Sequence, residues 1–62
     1  MKMKEKLISL YGEETCNDAR ELVKIAHNIN EHIAYWDSIG KFAEMIAIRD
    51  ACYNLADELR AA

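Results

Sequence analysis

Two histidines are the residues of this 62-residue sequence that most often serve as metal ligands or general bases. His27 and Glu31 are four residues apart, which places them on one face of a helix. His32 follows His27 by five residues and is therefore rotated from it by about 140°. Metal sites need three or four protein or water ligands, and neither cysteine is adjacent in sequence. The spacing predicts a solvated histidine or a surface ion pair, with no metal and no cofactor.

Cys16 and Cys52 supply the two thiols of the sequence. Two cysteines are too few for a disulfide scaffold, so we predict that both thiols are free and reduced. A hairpin turn near residues 38–39 places Cys52 level with Ile25, roughly 13 Å along the helix from Cys16. Cys52 follows the apolar pattern and is predicted in the core, whereas Cys16 lies near a helix start, where thiol pKa values tend to fall. No histidine is near Cys16 in sequence, and no catalytic cysteine is predicted.

Several classes of function lack their sequence signatures in this chain. It has no Gly-rich phosphate loop, no Gly-x-Ser-x-Gly elbow and no His-Glu-x-x-His motif. Sixty-two residues also leave little room for a substrate pocket of a few hundred Å³. We therefore predict that the protein is not an enzyme. No apolar run approaches the roughly 18–20 residues of a membrane span, and residues 1–6 lead into no signal-peptide segment, so we predict a cytoplasmic protein that does not bind membranes.

The elements that position these residues are predicted to be helices. Apolar residues make up 52% of the chain, proline is absent, and Gly12 and Gly40 are the only glycines. Between these breaks, apolar residues recur at steps of three and four, which is the helical period. The pattern predicts one all-α domain over residues 1–62, with a short helix at about 2–11 and long helices at about 15–36 and 42–60. A short connection at residues 37–41 makes the two long helices an antiparallel hairpin.

The last helix carries two apolar sectors instead of one. Ile39, Phe42, Ile46 and Tyr53 form the first sector, and Met45, Ile48, Cys52, Leu55 and Leu59 form the second. A helix with two apolar sectors needs two neighbours, and the ten-residue first helix is too short to cover five turns. We therefore predict that a second copy of the chain covers one sector, giving a dimeric four-helix-type bundle.

Two polar residues occupy positions where this pattern expects apolar ones. Asn30 falls within the apolar arc of its helix, and Arg49 falls between the two sectors of the last helix. One interpretation is that they hydrogen-bond to each other, or to their symmetry copies, and set the register of the dimer. The other is that Arg49 extends its guanidinium to water over apolar neighbours. The predicted dimer and core interface comprises Ile39, Phe42, Ile46, Arg49, Tyr53 and Asn30.

Two further surfaces are candidates for binding partners. Tyr35 and Trp36 lie near the hairpin tip, and exposed Tyr and Trp residues often anchor a partner protein. Trp36 also continues an apolar stripe, so it could instead close the end of the bundle. The alternative partner is nucleic acid, which the net charge of −3 disfavours. The residues that would carry that alternative are Lys2, Lys4, Lys6, Arg20 and Lys24.

The Lys-rich start and the segment Leu10–Thr15, which leads into the long helix, give the chain a likeness to known small proteins. It resembles, in style more than in motif, the small helical early-region proteins of lambdoid phages. That resemblance implies a non-enzymatic accessory protein that acts on host growth or phage development by binding a host protein. In size and hairpin plan the chain is also similar to plasmid-type RNA-binding four-helix dimers.

Overall fold

A computed structural model describes residues 2–61, and the side chain of residue 2 lies outside the described part. Every regular element within this range is an α-helix, which confirms the all-α class. The five helices are α1 (Lys2–Tyr11), α2 (Glu13–Cys16), α3 (Ala19–Glu31), α4 (Ile33–Ser38) and α5 (Phe42–Ala61).

The predicted helix at 15–36 is wrong as a single element, since α2, α3 and α4 share that region. The first break lies at Asn17 and Asp18. Asp18 has an extended backbone, and its carboxylate accepts hydrogen bonds from the amides of Arg20 at 3.0 Å and Glu21 at 3.4 Å. Those bonds satisfy two of the free N–H groups at a helix start, so Asp18 begins a new helix instead of continuing one.

The second break lies at His32, which ends α3 and precedes α4. Its backbone leaves the helical region, with φ −112° and ψ 24°, and its ring Nδ1 lies 2.9 Å from the carbonyl oxygen of Asn28. The amide of Trp36 nevertheless donates to the His32 carbonyl at 3.1 Å. The chain therefore bends at His32 and resumes its helical course within one turn.

Gly40 closes α4 and turns the chain into α5. Its φ is +75°, a left-handed conformation that glycine adopts without a Cβ penalty. The amide of Lys41 donates to Trp36 O at 2.8 Å and that of Gly40 to Asp37 O at 3.1 Å. These two bonds form a Schellman motif, which satisfies carbonyl groups at the end of the hairpin's first arm.

The core lies where α3 packs antiparallel against α5, with α1 packed on α5 as well. The direction follows from the contacts of Asn30 with Arg49 and of His27 with Tyr53, in which later residues of α3 meet earlier residues of α5. The buried side chains are Leu7, Cys16, Leu22, Ala26, Ile29, Ile48, Cys52, Leu55 and Ala56. Leu7 is 1% exposed, so the short helix α1 supplies a core residue and is one of the neighbours of α5.

The short helix α1 does not cover all five turns of α5, but it packs against one end of that helix. A groove between the two helices is lined by Met3, Lys4 and Leu7 of α1 and by Leu55 and Glu58 of α5. Leu7 and the residues beside it cover the second apolar sector of α5 at the end that contains Leu55 and Glu58.

No helix among the described residues combines the length and the apolar character that a membrane span requires.

Candidate interaction surface

The first apolar sector of α5 and of the turn before it is only partly covered in the monomer. Ile39 is 45% exposed and Phe42 is 46% exposed, while Ile46 and Tyr53 are half-buried and Tyr53 packs against the core. Together with Arg49 they follow one another at steps of three and four, and we call these five residues the exposed row. The second sector is different, because Ile48, Cys52 and Leu55 are buried and Met45 and Leu59 are half-buried. The protein thus uses the second sector as its core and leaves the Ile39 and Phe42 end of the first sector exposed.

A polar network interrupts the exposed row at Arg49. The Arg49 Nη1 donates to Asn30 Oδ1 at 2.8 Å, and its Nε and Nη2 donate to Asp50 Oδ1 at 3.1 and 2.9 Å. Asn30 Nδ2 in turn donates to the Tyr53 hydroxyl at 3.4 Å. The His27 ring meets the Tyr53 ring edge-on, with centroids 6.1 Å apart. The network joins α3 to α5 along the edge of the exposed row.

The hydrogen bond between Arg49 and Asn30 confirms the interpretation that these two residues pair. Asn30 is exposed, however, and not within the core, because the buried positions of α3 are Leu22, Ala26 and Ile29. The Arg49 side chain is 26% exposed, so it also keeps access to water. The sequence analysis did not identify Asp50, whose carboxylate accepts hydrogen bonds from two guanidinium nitrogens of Arg49. The available signal was that Asp50 directly follows Arg49 in the sequence.

Tyr35 and Trp36 occupy different environments at the hairpin tip. Tyr35 is 56% exposed, and its ring meets that of Trp36 edge-on at 5.1 Å. Trp36 is half-buried and packs against the core, with its Nε1 buried and without a hydrogen-bond partner in the described part of the chain. Trp36 therefore closes the end of the core, whereas Tyr35 presents an aromatic ring to solvent.

A shallow groove of about 320 Å³ runs beside Trp36. Tyr11, Ile25, Ile29 and Met45 contribute to its lining. An ion pair of 3.1 Å between Lys24 and Glu21 flanks the groove, and both side chains are solvent-accessible. The groove thus combines apolar side chains with the polar side chains of Glu21, Lys24 and Asn28.

The two thiols belong to the same cluster of buried core side chains. Both cysteines are free, and both are buried. Burial raises the pKa of Cys52 to about 11, with a smaller contribution from Cys16. Burial also raises the pKa of Cys16, although Lys4 opposes this effect, so the expected lowering at a helix start is wrong.

The described residues contain no group of three or more His, Cys, Asp or Glu side chains arranged to hold a metal ion. The His27 ring lies against Tyr53, and His32 lies against the carbonyl of Asn28. Each histidine ring therefore contacts a neighbouring group of the helices, the Tyr53 ring for His27 and the Asn28 carbonyl for His32. Within the described residues these groups do not form a set of metal ligands.

The basic residues considered for nucleic acid lie on two helices. Lys4 and Lys6 of α1 and Arg20 and Lys24 of α3 are exposed. Lys4 lines the groove between α1 and α5, and Lys24 lines the groove beside Trp36 and pairs with Glu21. The side chain of Lys2 lies outside the described residues.

No protein family model, curated protein or solved structure matches this chain. No functional residue is therefore transferred from a relative.

Proposed function

We propose that the protein is a small non-enzymatic regulatory protein that acts as a homodimer and binds a host protein. The observation that carries this proposal is the exposure of three large apolar side chains near the hairpin turn, Tyr35, Ile39 and Phe42. Among the described residues, Leu10 is the only other large apolar side chain that is exposed. Contiguous exposed apolar residues on a small protein mark sites of association.

We assign the two parts of this function, dimer formation and binding of the host protein, to two different surfaces. The exposed row, with Asn30 at its edge, is the surface that we assign to the dimer. Its apolar members would otherwise face water, and a chain of 62 residues gains stability from a second subunit. Tyr35 is the residue that we assign to the host protein, since a tyrosine combines a large apolar ring with a hydroxyl that can hydrogen-bond.

A host protein as the partner also agrees with the resemblance to the early-region proteins of lambdoid phages. Those proteins act on their hosts without enzymatic activity, and the surface described here offers an aromatic anchor and no catalytic group. Nucleic acid is the alternative partner, carried by Lys2, Lys4, Lys6, Arg20 and Lys24.

The dimer is tested by sedimentation of the full chain at micromolar concentration. The wild type is expected to give twice the 7.1 kDa chain mass. Phe42→Glu is expected to give a folded monomer, because Phe42 is 46% exposed and the charge would be buried only in the dimer. Leu10→Glu is the matched control: Leu10 is 53% exposed on α1, outside the exposed row, and this variant should remain a dimer. A monomeric wild type, or a dimeric Phe42→Glu variant, would contradict this assignment.

The host partner is tested by capture from bacterial lysate with the full chain as bait. The wild type and Leu10→Ala are expected to retain one specific protein that Tyr35→Ala loses, with the helical circular dichroism signal unchanged in all three. Nuclease treatment is expected to have no effect. Capture that disappears with nuclease and weakens steeply with salt would replace this proposal by the nucleic-acid alternative.

A further inference from the structure

We propose that α1 is a lid over the two thiols of the core, and that it opens about Gly12 while α3 and α5 stay packed on each other. Opening gives water and small thiol reagents access to Cys16 and Cys52. The motion is a property of the single chain and does not depend on the homodimer or the host protein proposed above.

One face of α1 lies against the part of the core that holds the thiols. Lys4, Leu7 and Tyr11 follow one another at steps of three and four, which places them on one side of the helix. Leu7 belongs to the same buried cluster as Cys16 and Cys52, and Tyr11 packs against that cluster. Burial raises the pKa of Tyr11, and the nearby thiols raise it further, while the charge of Lys4 opposes the raised pKa of Cys16. These relations make α1 the cover of the thiols.

The attachment of α1 to the core is limited. Leu7 is the one side chain that this helix buries among the described residues, whereas α3 buries three and α5 buries four. A groove of about 200 Å³ separates Met3 and Lys4 of α1 from Leu55 and Glu58 of α5, so the two helices are incompletely packed at this end. A helix of ten residues is also marginal without tertiary contacts. Opening of α1 is therefore expected to cost less free energy than separation of α3 from α5.

Gly12 supplies the hinge between the lid and the rest of the chain. Its φ is +90°, which glycine adopts without a Cβ penalty, and a Cβ built there would meet no atom within 4 Å. The Gly12 amide donates to the Ile8 carbonyl at 2.8 Å, and the Cys16 amide donates to the Gly12 carbonyl at 3.2 Å. Rotation about the two Cα bonds of Gly12 keeps both hydrogen bonds, because the first lies on the α1 side of these bonds and the second on the α2 side. The lid can therefore move without loss of helical structure.

Opening of the lid changes the reactivity of the thiols, because the thiolate is the form that attacks a disulfide. In the closed protein burial raises the pKa of Cys52 to about 11, and contact with water returns it towards its ordinary value of 9.0. The probe is the aromatic disulfide of nitrothiobenzoate. The protein thiol loses its proton to solvent, and its sulfur then forms a bond to one sulfur of the probe. The sulfur–sulfur bond of the probe breaks, and a coloured nitrothiobenzoate thiolate leaves with the electron pair.

The lid is tested by the rate at which the native full-length chain releases this thiolate, measured at several urea concentrations below the unfolding transition. Opening of one helix exposes less surface than global unfolding, so the logarithm of the rate should rise less steeply with urea than the logarithm of the unfolding equilibrium constant. Mass spectrometry of the digested product is expected to find the adduct on Cys16 and on Cys52. A rate with the same urea dependence and the same opening free energy as global unfolding would overturn the lid.

Leu7→Ala and Leu10→Ala are the matched variants, because they make the same chemical change at a buried and an exposed position of α1. Leu7→Ala is expected to raise the rate by about 30-fold or more, the factor that about 2 kcal/mol of lost packing produces. Leu10→Ala should raise it by less than about threefold. An unchanged rate in a folded Leu7→Ala variant would overturn the lid. Should that variant fail to fold, the urea dependence of the wild type decides the question.

Discussion

Cys16 and Cys52 are buried neutral thiols in one small core, and this makes folding sensitive to alkaline pH. The folded protein holds the Cys52 proton more tightly than the unfolded chain does, since burial raises its pKa from 9.0 to about 11. A raised folded-state pKa contributes stability that is complete below the unfolded pKa and is lost as pH rises through the folded one. The Tyr11 pKa is raised in the same direction by burial and by the two nearby thiols.

We expect the free energy of unfolding to fall as pH rises from about 9 to about 11, with Cys52 contributing up to about 2 kcal/mol. Urea denaturation at fixed protein concentration, followed by circular dichroism at several pH values, measures this decline. Cys52→Ala should start from a lower stability and decline less steeply over the same range, because only the raised pKa values of Tyr11 and Cys16 still contribute to the decline. Equal slopes for the variant and the wild type would contradict the assignment to Cys52.

The pairing of Asn30 with Arg49 shows what sequence can predict at the level of single residues. Two polar residues at positions where apolar ones are expected left two interpretations open, pairing with each other or solvation of the Arg49 guanidinium, and the hydrogen bond between them shows that they pair. The exact register could not be predicted from the hairpin turn alone. The contact of His27 with Tyr53 has its sequence midpoint at residue 40, whereas the predicted turn lies at residues 38–39, so the pairing of the two helices is shifted by about three residues. Each residue of shift rotates a helix by 100° and changes which side chains meet.

Helix ends were predictable where glycine supplies the break and were missed at Asp18 and His32. Gly12 and Gly40 both have positive φ and both lie at helix ends. His32 carries no such signal, since its break depends on a ring contact with Asn28 and on the packing of Trp36 beyond it. The break at Asp18 did have a signal, because aspartate is a preferred N-cap residue, but the apolar period continued across it.

Asp18 is expected to stabilise α3 through its capping bonds to Arg20 and Glu21. Asp18→Ala should lower the free energy of unfolding by about 1 kcal/mol, since it removes both bonds at the helix start. Asp18→Asn is the matched control, because it removes the same charge and keeps an oxygen that accepts the bonds. Thermal and urea denaturation of the two variants should therefore separate them. Equal losses would assign the effect to charge and contradict the capping role.

At the scale of the whole molecule, the packing of α1 decides how much of α5 is left for a partner. Sequence showed that α5 has two apolar sectors and needs two neighbours. The sequence could not show which helices are the two neighbours of α5, because a helix of ten residues has too few positions to reveal which of its side chains enters the core. The structure places Leu7 in the core beside the second sector and leaves the exposed row open. In a chain of this size, a few such contacts between buried side chains account for much of the free energy of unfolding.

Leu7 should therefore be among the most sensitive positions of the molecule. Leu7→Ala is expected to lower the free energy of unfolding by about 2–4 kcal/mol, because it removes a side chain that is 1% exposed and leaves a cavity between α1 and α5. Leu10→Ala makes the same chemical change on the same helix, at a position 53% exposed, and should cost less than about 0.5 kcal/mol. Urea denaturation at equal protein concentration measures both values and keeps any dimer contribution constant. Similar losses in the two variants would mean that α1 does not pack on the core through Leu7, and the second sector of α5 would then need another neighbour.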